Sequence, residues 1–307
     1  MEFIVGEDCH GLLLRSYLKR LKISSKQSAH LKRIEGGITV NGVQVTVRYQ
    51  LKAGDVVGLA IEDVRQGESA EPVDLPLSVI YEDDDLVICN KPPFMPTHPS
   101  HGHHYDTLAN ALAFYYEKQG RPFVFRPVNR LDRNTSGVVM VAKHARAASM
   151  MYTEMLNRQM EKEYLAVVEG EITGTGVVDK SLRRTAESII VREVCDDDAE
   201  GAQSALTEYR AVCAKNGLTL VELSPKTGRT HQLRVHMASL GHPILGDGLY
   251  GRDSELIDRQ ALHAYRLTFR RPSDGEAVTV EAPLPNDIAD VLDGHDCVNE
   301  YLKKEKI

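Results

Sequence analysis

One stretch limits the possible folds of this chain more than any other: Arg126–Lys143, RPVNRLDRNTSGVVMVAK. Its apolar run Val138–Val141 is short and rich in β-branched residues, which predicts a buried strand. Ahead of that run, Arg130, Leu131, Asp132, Arg133, Asn134, Thr135, Ser136 and Gly137 supply charge and turn chemistry. Asp132 is therefore expected in a polar turn at the mouth of a buried strand. Arg130 and Arg133 favour its ionised form, and the strand behind would hold it still. For a lone aspartate the favoured reading is an ordinary structural turn residue with an ion pair. The rest of the chain has to decide between them.

At 307 residues there is room for one large domain and one small one. No apolar run approaches the length of a membrane helix, so no membrane partner is expected. The start, MEFIVGEDCHG, has no basic segment before an apolar core, so no signal peptide is expected. The five cysteines are far apart and form no CxxC pair, which points to free thiols and a cytoplasmic location.

A net charge of −7 argues against a nucleic-acid partner, but the charges are segregated. From Arg15 to Lys52 there are nine basic residues (Arg15, Lys19, Arg20, Lys22, Lys26, Lys32, Arg33, Arg48, Lys52) against Glu35 alone. From Gln66 to Cys89 there are seven acids and no lysine or arginine. Such separation marks a polyanion-binding face on an otherwise acidic protein.

Residues 1–65 read as a small α+β module. A strand at Phe3–Val5 precedes helices at Leu12–Leu21 and Ser25–Ile34, the second capped by Ser24 or Ser25. Ile38–Val40 and Val43–Val47 flank Asn41-Gly42, a type I′ hairpin signal, and Val56–Ile61 is a further strand. With its pattern LRSYLKRL, SSKQSAHLKR, GGITVNG and a closing GD, the module resembles the RNA-binding domain named after ribosomal small-subunit protein four. Residues 66–78, acidic and holding two prolines, read as a linker.

Residues 79–307 mix hairpins with three or four helices, which predicts an α+β fold on a mainly antiparallel sheet. Val79–Tyr81 and Leu86–Asn90 form a hairpin, and helices are expected at Thr107–Lys118, capped by Asp106, and at Arg146–Gln159. Glu163–Glu169, Thr207–Val212, Leu218–Leu223, Leu262–Phe269 and Ala277–Glu281 read as strands. Gly174-Thr175-Gly176 is not followed by a helix, so it reads as a turn and not a phosphate loop. His98, His101, His103 and His104 have no cysteine beside them and no spacing that fixes one coordination face, so a metal site is disfavoured. Thr227–Leu240, TGRTHQLRVHMASL, reads as a helical segment whose apolar residues cannot share one face. It is expected to be largely buried, so Arg234 needs a buried anionic partner.

CNKPPFMPTHPS (Cys89–Ser100), NRLDRNTSGVVMVAK (Asn129–Lys143), KEYLAVVEG (Lys162–Gly170) and TGRTHQLRVHMASLGHPILGD (Thr227–Asp247) follow one another in this order. Together they resemble the ordered motifs of the RluA-type pseudouridine synthases. The resemblance implies one mixed, largely antiparallel sheet with flanking helices and a catalytic cleft. It implies a monomer that isomerises uridine to pseudouridine in folded RNA without metal or other cofactor. It assigns Asp132 as the catalytic nucleophile, and Arg130, Tyr164 and Arg234 as substrate-binding. Of these, Arg130 helps displace the base, Tyr164 packs on the uracil and Arg234 pairs with the aspartate. Asn129 departs from the family's usual histidine and puts the subfamily, and so the target, in question. Large-subunit ribosomal RNA is the favoured partner and transfer RNA the alternative. A silent RNA-binding or ribosome-assembly protein is the rival class, which intact Asp132, Tyr164 and Arg234 oppose. A retaining glycosidase would need a second carboxylate in a comparable motif.

Overall fold

In the computed structural model, which describes residues 2–21, 23, 28, 29, 31–60, 70–291 and 301, the chain builds a small sheet and a large one. The small sheet holds β1 (Glu2–Ile4), β2 (Ile38–Val40), β3 (Val43–Gln44) and β4 (Val56–Leu59) in the order β1-β4-β2-β3, antiparallel throughout. The expected hairpin is present: Asn41 and Gly42 take positive φ of 51° and 80°, and Val40 faces Val43. Helix α1 (Leu14–Arg20) buries Leu14, Tyr17 and Leu18 in the core of this module. Of the expected helix Ser25–Ile34, residues 25–27 and 30 lie outside the described residues, as do Lys22, Ile61 and residues 62–69.

The large sheet runs β10 (Thr175–Asp179), β13 (Leu206–Lys215), β14 (Leu218–Pro225), β9 (Glu161–Glu169), β15 (Leu262–Arg270), β8 (Ser136–Ala142), β6 (Leu86–Lys91) and β5 (Val79–Glu82). β7 (Arg126–Pro127) pairs with β8, and β16 (Ala277–Glu281) with β15, which makes ten strands. Every pairing is antiparallel except β15 with β8. The α+β, mainly antiparallel fold is the one expected. A small separate hairpin, β11 (Ser181–Arg184) with β12 (Arg192–Cys195), was not legible, because a single apolar pair, Leu182 opposite Val194, gives no alternating pattern.

All seven residues of β8 are buried. The strand lies inside a sheet with apolar layers on both sides, so alternate residues serve different cores. Val138, Met140 and Ala142 pack in the cluster that holds Ala147 and Met151 of α3 (Ala145–Leu156). Val139 and Val141 pack with Leu108, Leu112 and Tyr116 of α2 (Leu108–Glu117). A third core lies on the other half of the sheet, where Leu165 and Val167 meet Leu233 and Met237 of α4 (Gln232–Ser239).

Three local expectations are corrected. The cap of α2 is Thr107, in a capping box with Asn110, while Asp106 instead receives His103 Nδ1 at 2.6 Å. Residues 227–231 do not belong to α4; the Gln232 side chain folds back on them, its Oε1 accepting from Arg229 N at 3.0 Å and Thr227 Oγ1 at 2.7 Å. Cys9, Cys89 and Cys195 are free thiols, but Cys213 is disulfide-bonded. The acidic stretch is also not a free tether along its whole length. Asn110 Nδ2 donates to the Glu71 carbonyl at 2.8 Å, and Leu75 and Leu77 pack beside α2.

Candidate active site

Asp132 stands in the turn that enters β8, and the backbone on both sides of it is tied down. Upstream, Thr97 Oγ1 donates to the Leu131 carbonyl at 3.0 Å and accepts from Leu131 N at 3.2 Å. The Asn129 side chain imitates a strand partner: its Nδ2 donates to the Val138 carbonyl at 3.0 Å, and its Oδ1 accepts from Met140 N at 2.8 Å. Downstream, Lys91 at the end of β6 donates to the Arg133 carbonyl at 3.1 Å and to those of Pro92 and Met95 at 2.8 and 2.7 Å. That uses all three protons of a fully buried ammonium, whose pKa burial pulls down to about 7. Arg259 adds a bond to the Asn134 carbonyl at 3.1 Å.

The opposite wall comes from α4. Arg234 donates through Nε and Nη2 to the two oxygens of Asp247, at 2.7 and 2.6 Å, and through Nη1 to Asp132 Oδ2 at 3.3 Å. Burial opposes its charge, but the bonds and charges of Asp247 and Asp132 outweigh this and hold its pKa up. The Tyr250 ring lies 5.1 Å from the guanidinium. Its hydroxyl is 2.8 Å from His231 Nδ1, and His231 Nε2 is 3.8 Å from Asp132 Oδ2. His231 adopts φ 57°, rare for a residue with a β-carbon and typical of functional sites. Burial lowers its pKa against the opposing pull of Asp132.

Tyr164 enters from β9, between Leu223 of β14 and Ala264 of β15. Burial pushes its phenol up and the Asp132 charge adds to this, so it stays protonated at neutral pH. Asp132, Arg130, Tyr164, His231 and Arg234 all line one cleft of about 390 Å³, a volume typical of small-ligand sites. Arg130 is exposed at its rim, and burial lowers the ammonium of Lys162 inside it. The four residues expected to share a site therefore do so. Sequence reasoning missed the pairing with Asp247, although a buried Arg234 demanded such a partner. It also missed His231, Lys91 and Thr97, which lie inside the motifs but whose contacts are with residues distant in sequence.

Comparison with known proteins agrees with this geometry. The family described as RNA pseudouridylate synthase matches residues 85–239. The chain is 39% identical over 286 residues to the uncharacterised RNA pseudouridine synthase YjbO of Bacillus subtilis, covering 92% of this chain and 99% of that one. The chain belongs to the RNA pseudouridylate synthase family. Within it the resemblance to the RluA type holds: ribosomal large subunit pseudouridine synthase D of Vibrio cholerae is 35% identical over 273 residues, covering 84% of this chain and 83% of that one. Among solved structures, human RNA pseudouridylate synthase domain containing 1 is 31% identical with a TM-score of 0.56, covering 70% of this chain and 87% of that one. As an RNA pseudouridine synthase, the chain is an isomerase with RNA as its partner.

Proposed function

We propose that this pseudouridine synthase acts on large-subunit ribosomal RNA with Asp132 as its nucleophile. The observation that carries the assignment is the meeting of Asp132, Arg234 and Tyr164 in one cleft. In the reaction the N1–C1′ bond of uridine breaks, a C5–C1′ bond forms, C5 loses a proton and N1 gains one. Atoms and electrons balance without a co-reactant. A carboxylate suits the covalent step, since its lone pairs are free to attack. Arg234 offers only one long bond to it, which orients the carboxylate without fully neutralising it. The protonated phenol of Tyr164 packs on the uracil and serves the proton transfer.

A uridine in folded RNA has to leave its stack first, at a cost of a few kcal/mol. Exposed Arg130 at the cleft rim takes the vacated place. The N-terminal module adds affinity: Arg15, Lys19, Lys32, Arg33, Arg48 and Lys52 are all exposed on it. The ribosomal target is favoured by the resemblance to the large-subunit enzymes and by this module, and transfer RNA is the alternative. The cytoplasm, where such RNA is matured, is the proposed location.

The test is to map pseudouridines in cellular RNA with the protein present, absent, and replaced by Asp132→Asn. The expected result is loss of one or more sites in large-subunit ribosomal RNA in both deficient strains. Turnover retained by Asp132→Asn overturns the nucleophile, and a lost site in transfer RNA alone overturns the target.

A further inference from the structure

Phe94 is held in a conformation that its side chain resists. Its φ is 64°, in the left-handed region where a β-carbon crowds the following carbonyl oxygen, and no packing repays this, since 46% of the residue is exposed. The strain has an identifiable source. The carbonyls of Pro92 and Met95, on either side of Phe94, both converge on the ammonium of Lys91. Closing the turn on that nitrogen forces the ring outward. The same nitrogen also binds the carbonyl of Arg133, the residue after Asp132. One buried cation thus fixes an exposed aromatic ring next to the catalytic turn.

The surroundings select the kind of ligand. The chain from Phe94 continues through Met95, Pro96 and Thr97, which clamps Leu131, to His98, which lines the cleft. The exposed groups nearby in the fold are cationic or polar: Arg130 and Arg133 on the catalytic turn, and His98. Arg130 fills only the place the uridine leaves; an unpaired base next to it still has a free face, and an exposed aromatic ring stacks on such a face whatever the base. We propose that Phe94 is a stacking platform for the unpaired base adjacent to the target uridine, with Arg133 receiving the phosphate beside that base. This rests on the reading of the cleft as the uridine site.

The chain contains no tryptophan, so Phe94→Trp introduces a sole indole reporter at this position. Binding is measured in the Asp132→Asn background, where no chemistry intervenes, with an RNA hairpin carrying a uridine-rich loop as the probe. Phe94→Gly removes both the ring and the strain. It is expected to melt at or above the parent temperature yet bind the hairpin about tenfold more weakly. With Asp132 restored, the loss in kcat/KM is expected mainly in KM. Phe94→Trp is expected to bind like the parent and to lose much of its indole emission on saturation. Unchanged binding by Phe94→Gly, or indole emission indifferent to saturating RNA, overturns the proposal. Because both readouts come from an inactive background, failure of Asp132 as the nucleophile shows separately, as turnover retained by Asp132→Asn.

Discussion

Arg234 is bound more closely to Asp247 than to Asp132: two hydrogen bonds of 2.7 and 2.6 Å to the former, one of 3.3 Å to the latter. The guanidinium is thereby aimed by a buried carboxylate that does not line the cleft. Only its remaining edge reaches the proposed nucleophile. A planar fork grips one carboxylate through two parallel bonds and keeps an edge for another, a fixed orientation that a lysine's point-like ammonium does not impose.

Asp247→Ala removes the aiming partner and leaves a buried guanidinium half satisfied. Breaking such a pair costs about 3–5 kcal/mol of stability. Pseudouridine formation is expected to fall by at least about tenfold at temperatures where the variant remains folded, as the bond to Asp132 loses its direction. Urea unfolding and single-turnover assays check both. A variant as active as the parent would show that Arg234 finds Asp132 without help.

Stability is expected to fall with acid in a way that one histidine dominates. His263 is buried, its Nδ1 2.9 Å from Ser136 Oγ and its Nε2 3.1 Å from the Ala282 carbonyl. Burial pulls its pKa down to about 4. Between that value and the unfolded one of about 6.5, the unfolded chain binds a proton that the folded chain refuses. The contribution is complete above pH about 6.5 and is lost as pH falls toward 4, roughly 3 kcal/mol in all. His263→Gln should flatten this acid limb in urea titrations; an unchanged limb assigns it to other groups.

Gly137 is expected to tolerate no side chain. Its φ is 113°, and a β-carbon there would lie 2.1 Å from the Ala264 carbonyl oxygen. Relieving that overlap means parting β8 from β15, so Gly137→Ala should cost more than about 4 kcal/mol and yield little soluble protein. Gly174→Ala is the control, since φ is 71° but nothing lies within 4 Å of the added atom. It should cost only about 1–2 kcal/mol, measured by thermal melting.

The basic module makes a claim about salt. Replacing Arg15, Lys19, Lys32 and Arg33 by glutamine should weaken RNA binding. It should also make log K less steep against log salt, by roughly 0.7–0.9 for each phosphate no longer neutralised. An unchanged slope removes this surface from the RNA path.

Much of the large sheet was legible because its strands advertise themselves. The uninterrupted apolar run of β8 can only be buried on both faces, and in the small sheet Asn41-Gly42 has the positive φ pair its sequence predicts. What escaped depends on groups distant in sequence. Nothing near Thr227 says that Gln232 will bend back and keep residues 227–231 out of the helix. Nothing near Lys91 says that its ammonium will hold a carbonyl 42 residues away. Asp132 and Arg234 are 102 residues apart and meet only through the order of the strands. The site residues could be named from motif likeness, but the groups that aim them could not.

The parallel joint between β15 and β8 is narrow, with His263 opposite Ser136 and Ala264 opposite Gly137. On one side of β15 lies β8 with the turn of Asp132, on the other β9 with Tyr164. Yet β15, at Leu262–Arg270, is made long after both of its neighbours. Synthesis runs from the N-terminus, so a nascent chain carries the Asp132 turn and Tyr164 on two unjoined halves until that strand leaves the exit tunnel. The cleft wall formed by these two strands therefore has no shared scaffold before β15 is in place, which makes its assembly a late event in folding.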